Sequence, residues 1–220
     1  MRLSVPSLLT GLLLGAAATA PATAAAQTRF DFTPDVGFYV PLSNAVNENG
    51  VTLKNKVSYV IGASAAVWVN AKTGIELSMG YSGSGITVND NGSTADTTGH
   101  VFLGSLRVLY GLSQGTSGCF EFVKGAPAHC LPALYLTAGL GLVSRGGDGW
   151  SGVTGTSNIS GVLGIGYRVP LNSTMAVRLE GEVFLYSAAF GESGVSGTTT
   201  SEFQEDFVFS AGLAIPLGGR

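Results

Sequence analysis

The chain is short of charge. Its 220 residues include 11 Lys and Arg and 14 Asp and Glu, or 11% charged residues, against about 25% in soluble domains. It has two cysteines and two histidines, too few for a disulfide framework or a histidine-rich metal centre. Beyond its first 26 positions no apolar run approaches the 18 residues expected of a membrane-spanning helix. A formal net charge of −3 gives no basic footprint, so no nucleic-acid partner is expected. What the chain does have is 33 glycines and 45% hydrophobic residues. High hydropathy with few charges and no helical span points to a transmembrane β-barrel.

The N-terminus carries Arg2, a short apolar core over Leu8–Ala18 and small residues at Ala22–Ala26. This is the order of a secretory signal peptide, with cleavage expected after Ala26. The apolar core is too short for a spanning anchor, and no cysteine follows it to carry a lipid. Residues 27–220 are expected to form one domain.

Strict alternation governs that domain, and alternation of period two means β-strand. Over Met175–Tyr186, the residues Met175, Val177, Leu179, Val183 and Leu185 share one face. Arg178, Glu180 and Glu182 share the other. Similar segments are Phe30–Val40, Lys56–Val69, Gly74–Tyr81, Gly99–Leu112, Ala133–Val143, Thr156–Val169 and Glu202–Leu217. The expected fold is therefore all-β: an eight-stranded antiparallel up-and-down transmembrane barrel, its apolar face toward lipid and its charged face toward the lumen. A soluble lipocalin is the competing architecture, with the apolar face enclosing a ligand. Connections 42–55, 82–98, 144–155 and 187–201 are long and polar, while 70–73 and 171–174 are tight. Outer-membrane barrels have long outside loops and short periplasmic turns, so both termini are expected in the periplasm.

The connection 113–132 breaks the rhythm and holds Cys119 and Cys130. In an exported chain these are expected to form a disulfide. A zinc site would need more ligands than these two and His129. His100 lies at the top of the fourth strand with no same-face hydroxyl, so no nucleophile–base couple is visible. No enzymatic activity, metal or cofactor is expected.

The segments GFYVPL (37–42), GIELSMGYSG (74–83), LYLTAGLGLV (134–143), GVLGIGYRV (161–169) and AVRLEGEVFLY (176–186) together resemble the small eight-stranded outer-membrane barrels of the OmpA/OmpX-like and opacity-protein group. The resemblance implies a packed polar interior, exposed loops, and a role in adhesion or envelope integrity. The implied partners are outer-membrane lipid and lipopolysaccharide, the barrel-assembly machinery, and extracellular ligands at the loops. The chain departs from that group in ending Gly218-Gly219-Arg220 rather than on an aromatic residue, and no peptidoglycan-binding domain is expected.

Parity places Glu76, Arg107, Arg168, Arg178, Glu180, Glu182 and Asp206 inside. An eight-stranded barrel is just wide enough for side chains to fill, and buried charges need partners. A salt-bridged plug is therefore expected, with Glu76 facing Arg107. The alternative is a narrow channel for small apolar solutes, as in the OmpW group.

Overall fold

Period-two alternation closes into a continuous wall. The computed structural model describes residues 29–43, 46–48, 51–70, 72–90, 93–112, 119–120, 129–130, 133–151, 153–172, 175–192 and 202–217. Its strands are β1 (Arg29–Pro41), β2 (Val46–Glu48), β3 (Val51–Asn55), β4 (Ser58–Trp68), β5 (Thr73–Ser82), β6 (Ile86–Asp90), β7 (Ser93–Thr97), β8 (His100–Gly111), β9 (Cys119–Phe120), β10 (His129–Cys130), β11 (Leu134–Gly146), β12 (Val153–Thr154), β13 (Ser157–Pro170), β14 (Ala176–Ala188), β15 (Gly191–Glu192) and β16 (Glu202–Leu217). Eight of them form a closed antiparallel barrel in the order β1-β16-β14-β13-β11-β8-β5-β4. Chain neighbours pair throughout. The first strand closes on the last, with Phe32 facing Ile215 on one side and Ala65 on the other.

Chemistry sorts between the two faces opposite to a soluble protein. Tyr59 is 76% exposed and Ile159 77%, whereas Glu76 is 0% and Arg168 2% exposed. Apolar side chains cover the outside, and charged side chains such as Glu76 and Arg168 point inside. That removes the lipocalin alternative, which needs the reverse. Pro34 has no N–H to donate, so it belongs near a sheet edge or a strand end. It sits within β1 instead, where the ladder to β16 lacks pairs at Thr33 and Pro34 and resumes at Asp35. A residue without an N–H is tolerated at such a gap.

One end of the barrel is tight. The Asn70 side chain accepts hydrogen bonds from the Lys72 and Thr73 backbone N–H groups, both at 2.8 Å, a side-chain-made turn. Leu171 N–H donates to the Met175 carbonyl at 2.9 Å. At the same end Cys119 of β9 stands opposite Cys130 of β10 in a two-residue ladder. The side chains of both cysteines, and of His129, lie outside the described residues, as do residues 1–28 with the expected signal peptide.

The other end departs from expectation. The stretches 42–55 and 82–98 were expected as polar loops. They instead form hairpins that join into a four-stranded sheet, β2-β3-β6-β7, with Leu53 facing Val88. Short alternations such as Ile86-Thr87-Val88 account for this. Lys56 meets Asp96 at 2.6 Å and Thr87 donates to it at 2.9 Å. These hydrogen bonds hold the Asp96 carboxyl below its usual range.

Candidate functional site in the lumen

The lumen is built in three tiers. The middle tier follows from register and parity. Glu76 of β5 and Arg107 of β8 are direct cross-strand partners, and both side chains point inward and pair. Arg178, Glu180 and Glu182 alternate along β14, so all three also point inward. Arg107 Nη1 donates to Glu180 Oε1 across the barrel at 2.7 Å, and Arg107 also contacts Glu182. Arg178 Nε donates to Glu180 Oε2 at 2.7 Å, and its Nη2 donates to Glu76 Oε1 at 2.8 Å. A second bond joins Arg178 Nη1 to Glu76 Oε2. Tyr135 O–H donates to Glu180 Oε2 at 2.8 Å. Glu76 and Glu180 therefore each bridge the guanidinium groups of Arg107 on β8 and Arg178 on β14, and buried charge requires such partners. A cavity of about 40 Å³ is bordered by Asp35, Ser64, Arg107, Arg178 and Glu182, room for a water or so.

The lower tier lies toward the tight turns. Arg168 and Arg178 are register partners on β13 and β14. Two like charges so placed must turn apart. Arg178 leans into Glu76, while Arg168 lies over the Trp68 ring at 4.7 Å and the Tyr135 ring at 5.3 Å. Its nearest carboxylate is Asp31, at 3.4 Å. Asp31 also accepts from Arg29 Nε at 2.7 Å and from Trp68 Nε1 at 3.0 Å. Gly166 leaves the space that the Tyr135 ring occupies, since a Cβ there would overlap it.

The upper tier is apolar. Tyr39, Val60, Val101, Leu103, Val143, Val162, Phe184, Tyr186, Ala188 and Val208 form one buried cluster against which Phe190 packs. The expectation of a polar interior thus fails for this half of the barrel. A polar cluster crosses it: Arg145 Nη2 donates to Asp206 Oδ2 at 2.8 Å and meets the Tyr186 hydroxyl, which itself donates to Asp206 at 2.6 Å. Ile86, Trp150, Val153 and Phe190 pack together above as an apolar roof. Trp150 is supplied by the single-turn 3-10 helix Asp148–Trp150.

All seven charges assigned to the lumen are buried there. The structure brings Glu76, Arg107, Arg178, Glu180 and Glu182 into one network. It places Arg168 below that network and Asp206 above it. Sequence reasoning missed Arg29 and Arg145, which lie one and two residues outside the expected strand limits. Continuing the parity of β1 and β11 finds both. His100 faces outward and stacks on Tyr81 with ring centroids 5.7 Å apart.

No protein-family model matches the sequence, and no curated protein matches it. Solved structures do. The crystal structure of the outer membrane protein OprG from Pseudomonas aeruginosa aligns over 87% of this chain and 98% of its own, with a TM-score of 0.59 and 12% identity. The solid-state NMR structure of the outer membrane protein AlkL in lipid bilayers aligns over 91% of this chain and 96% of its own, with a TM-score of 0.54 and 16% identity. At such identities the likeness concerns fold, and it places the chain among the eight-stranded outer-membrane barrels in architecture.

Proposed function

We propose that the protein resides in the bacterial outer membrane, with its tight turns in the periplasm, and passes small apolar solutes inward from the cell surface without conducting ions. The observation that carries this reading is the division of the lumen. An apolar upper tier lies over a salt-bridged floor. An apolar lining favours apolar molecules over hydrated ions, and the cavity of about 40 Å³ between the two tiers is too small for an ion with its hydration shell. The wall supplies an exit. On the lipid side, Ile61, Gly62, Ala63, Met79, Gly80, Tyr81 and Phe102 line a groove of about 310 Å³. Met79 and Gly80 also border the internal cavity, so the groove and the cavity lie on opposite sides of the same stretch of β5. The test compares vesicles with and without the protein. Flux of a small apolar dye should rise while planar bilayers show no resolved conductance steps. Unchanged dye flux refutes the uptake reading. The four-stranded outer sheet supports a second reading, an adhesive or structural surface protein, which vesicles showing no flux and cells losing surface attachment on deletion would favour.

A further inference from the structure

At the mouth of the lumen Arg145 is 5% exposed and is ringed by aromatic side chains. Its guanidinium carbon lies 5.6 Å from the Trp150 ring centroid, 5.3 Å from that of Tyr186 and 5.6 Å from that of Phe190. Only Nη2 is engaged, by Asp206 and Tyr186. Among the described residues Arg145 Nε and Nη1 have no hydrogen-bond partner, and neither has Trp150 Nε1. Trp150 is 4% exposed, so bulk solvent does not serve these groups. Buried polar groups are seldom left unpaired in native structures.

The unmet groups in this box are all donors, because guanidinium and indole nitrogens cannot accept. A buried water needs two to four polar partners of mixed character. Here it would find donors for its lone pairs and aromatic rings for its own hydrogens. A group that only accepts, such as a carbonyl or carboxylate oxygen, fits better. The surroundings are apolar: Ile86 and Phe190 pack with Trp150, and Phe190 also packs against the cluster that holds Val143, Phe184 and Val208.

We propose that Arg145 and Trp150 form a recognition site for small apolar molecules that end in an acceptor oxygen, with the oxygen on the two donors and the hydrocarbon tail in the upper tier. The guanidinium is already neutralised by Asp206, so a neutral carbonyl suffices and full negative charge is not required. The site therefore separates oxygenated apolar molecules from plain hydrocarbons. This deepens the uptake reading, on which it rests for the arrival of the ligand, but binding is measured without transport, so each fails separately.

The experiment uses the full folded barrel in detergent micelles and records 15N–1H correlations of the Trp150 indole N–H and the Arg145 Nε–H. The probes are 2-heptanone, hexanoate and heptane. Both signals should shift saturably with 2-heptanone or hexanoate and stay in place with heptane. The Trp68 indole N–H, already bonded to Asp31, serves as the internal control and should not move. Trp150→Phe keeps a ring in the roof and removes one donor, and should weaken binding three- to tenfold. The paired change Arg145→Gln with Asp206→Asn leaves no unpaired charge and should abolish it. Equal shifts with heptane, equal movement of Trp68, or no shift with either oxygenated probe overturns the proposal, the last meaning that water alone fills the box. Oxygen-selective binding without dye flux would overturn uptake and leave the site standing.

Discussion

Replacing Glu76 by Ala tests whether the lumen is held by a network or by independent pairs. Glu76 is 0% exposed and joins Arg107 once and Arg178 twice. Charge-assisted bonds of this kind are worth about 1.5–3 kcal/mol each. Their loss does not add simply, because both arginines keep Glu180. Breaking a buried pair on one side typically costs about 3–5 kcal/mol. The adjoining 40 Å³ cavity lets water reach the vacated space, so the expected loss lies near 3 kcal/mol, at the low end of that range. Removing Arg107 as well takes away one of the two stranded charges. The double variant Glu76→Ala/Arg107→Ala should therefore lose less than the sum of the single variants, with a coupling of about 1–3 kcal/mol. Urea unfolding in lipid vesicles, followed by tryptophan fluorescence and by the mobility shift of folded barrels on gels, supplies all four corners of the cycle. A coupling within about 0.5 kcal/mol of zero is ordinary additivity and would refute the network.

Gly166→Ala should cost about 1–3 kcal/mol by overpacking, because the new Cβ meets a Tyr135 ring held in place by Glu180; an unchanged melting temperature would count against that packing. Cys119 and Cys130 face each other across β9 and β10, and antiparallel partners lie about 4.5–5.5 Å apart at Cα, within disulfide reach. Thiol titration of protein taken from the envelope under denaturing conditions should find no free thiol, and two would sink the expected bridge. An epitope inserted at positions 91–92, between β6 and β7, should be reached by antibody on intact cells. Labelling that needs a permeabilised outer membrane would invert the orientation.

The wall was legible in the sequence because lipid and lumen impose opposite chemistry on successive residues. Arg178, Glu180 and Glu182 against Leu179 and Val183 leave one parity possible, and the pairing of Glu76 with Arg107 followed from two short stretches joined by depth. The upper tier was not legible, because charge had been used to define the inside. Val101 and Leu103 share the parity of Arg107 and are buried with it, yet hydropathy alone does not distinguish them from lipid-facing Phe102. Arg145 was hidden by the glycine-rich run after Ser144, although the ladder to β8 continues as far as Gly146 opposite His100. Pairs such as Arg107 with Glu180 join β8 to β14, which are not neighbours in the wall. No local pattern reports them, since they depend on how the strands stagger when the barrel closes.

Those cross-lumen pairs bear on the order of assembly. Arg107 and Glu180 meet only when the sheet has curled far enough to bring β8 and β14 face to face, and Arg168 meets Asp31 only once β1 has been reached through β16. An open, half-built sheet lying in the bilayer would present these side chains to hydrocarbon with partners missing, at about 2–4 kcal/mol for each Arg or Lys at mid-depth. Closure and insertion are thereby coupled. The polar floor acts as a checkpoint that penalises every unclosed intermediate in lipid, and it makes the last strand of the chain, β16, the one whose arrival commits the barrel to the membrane.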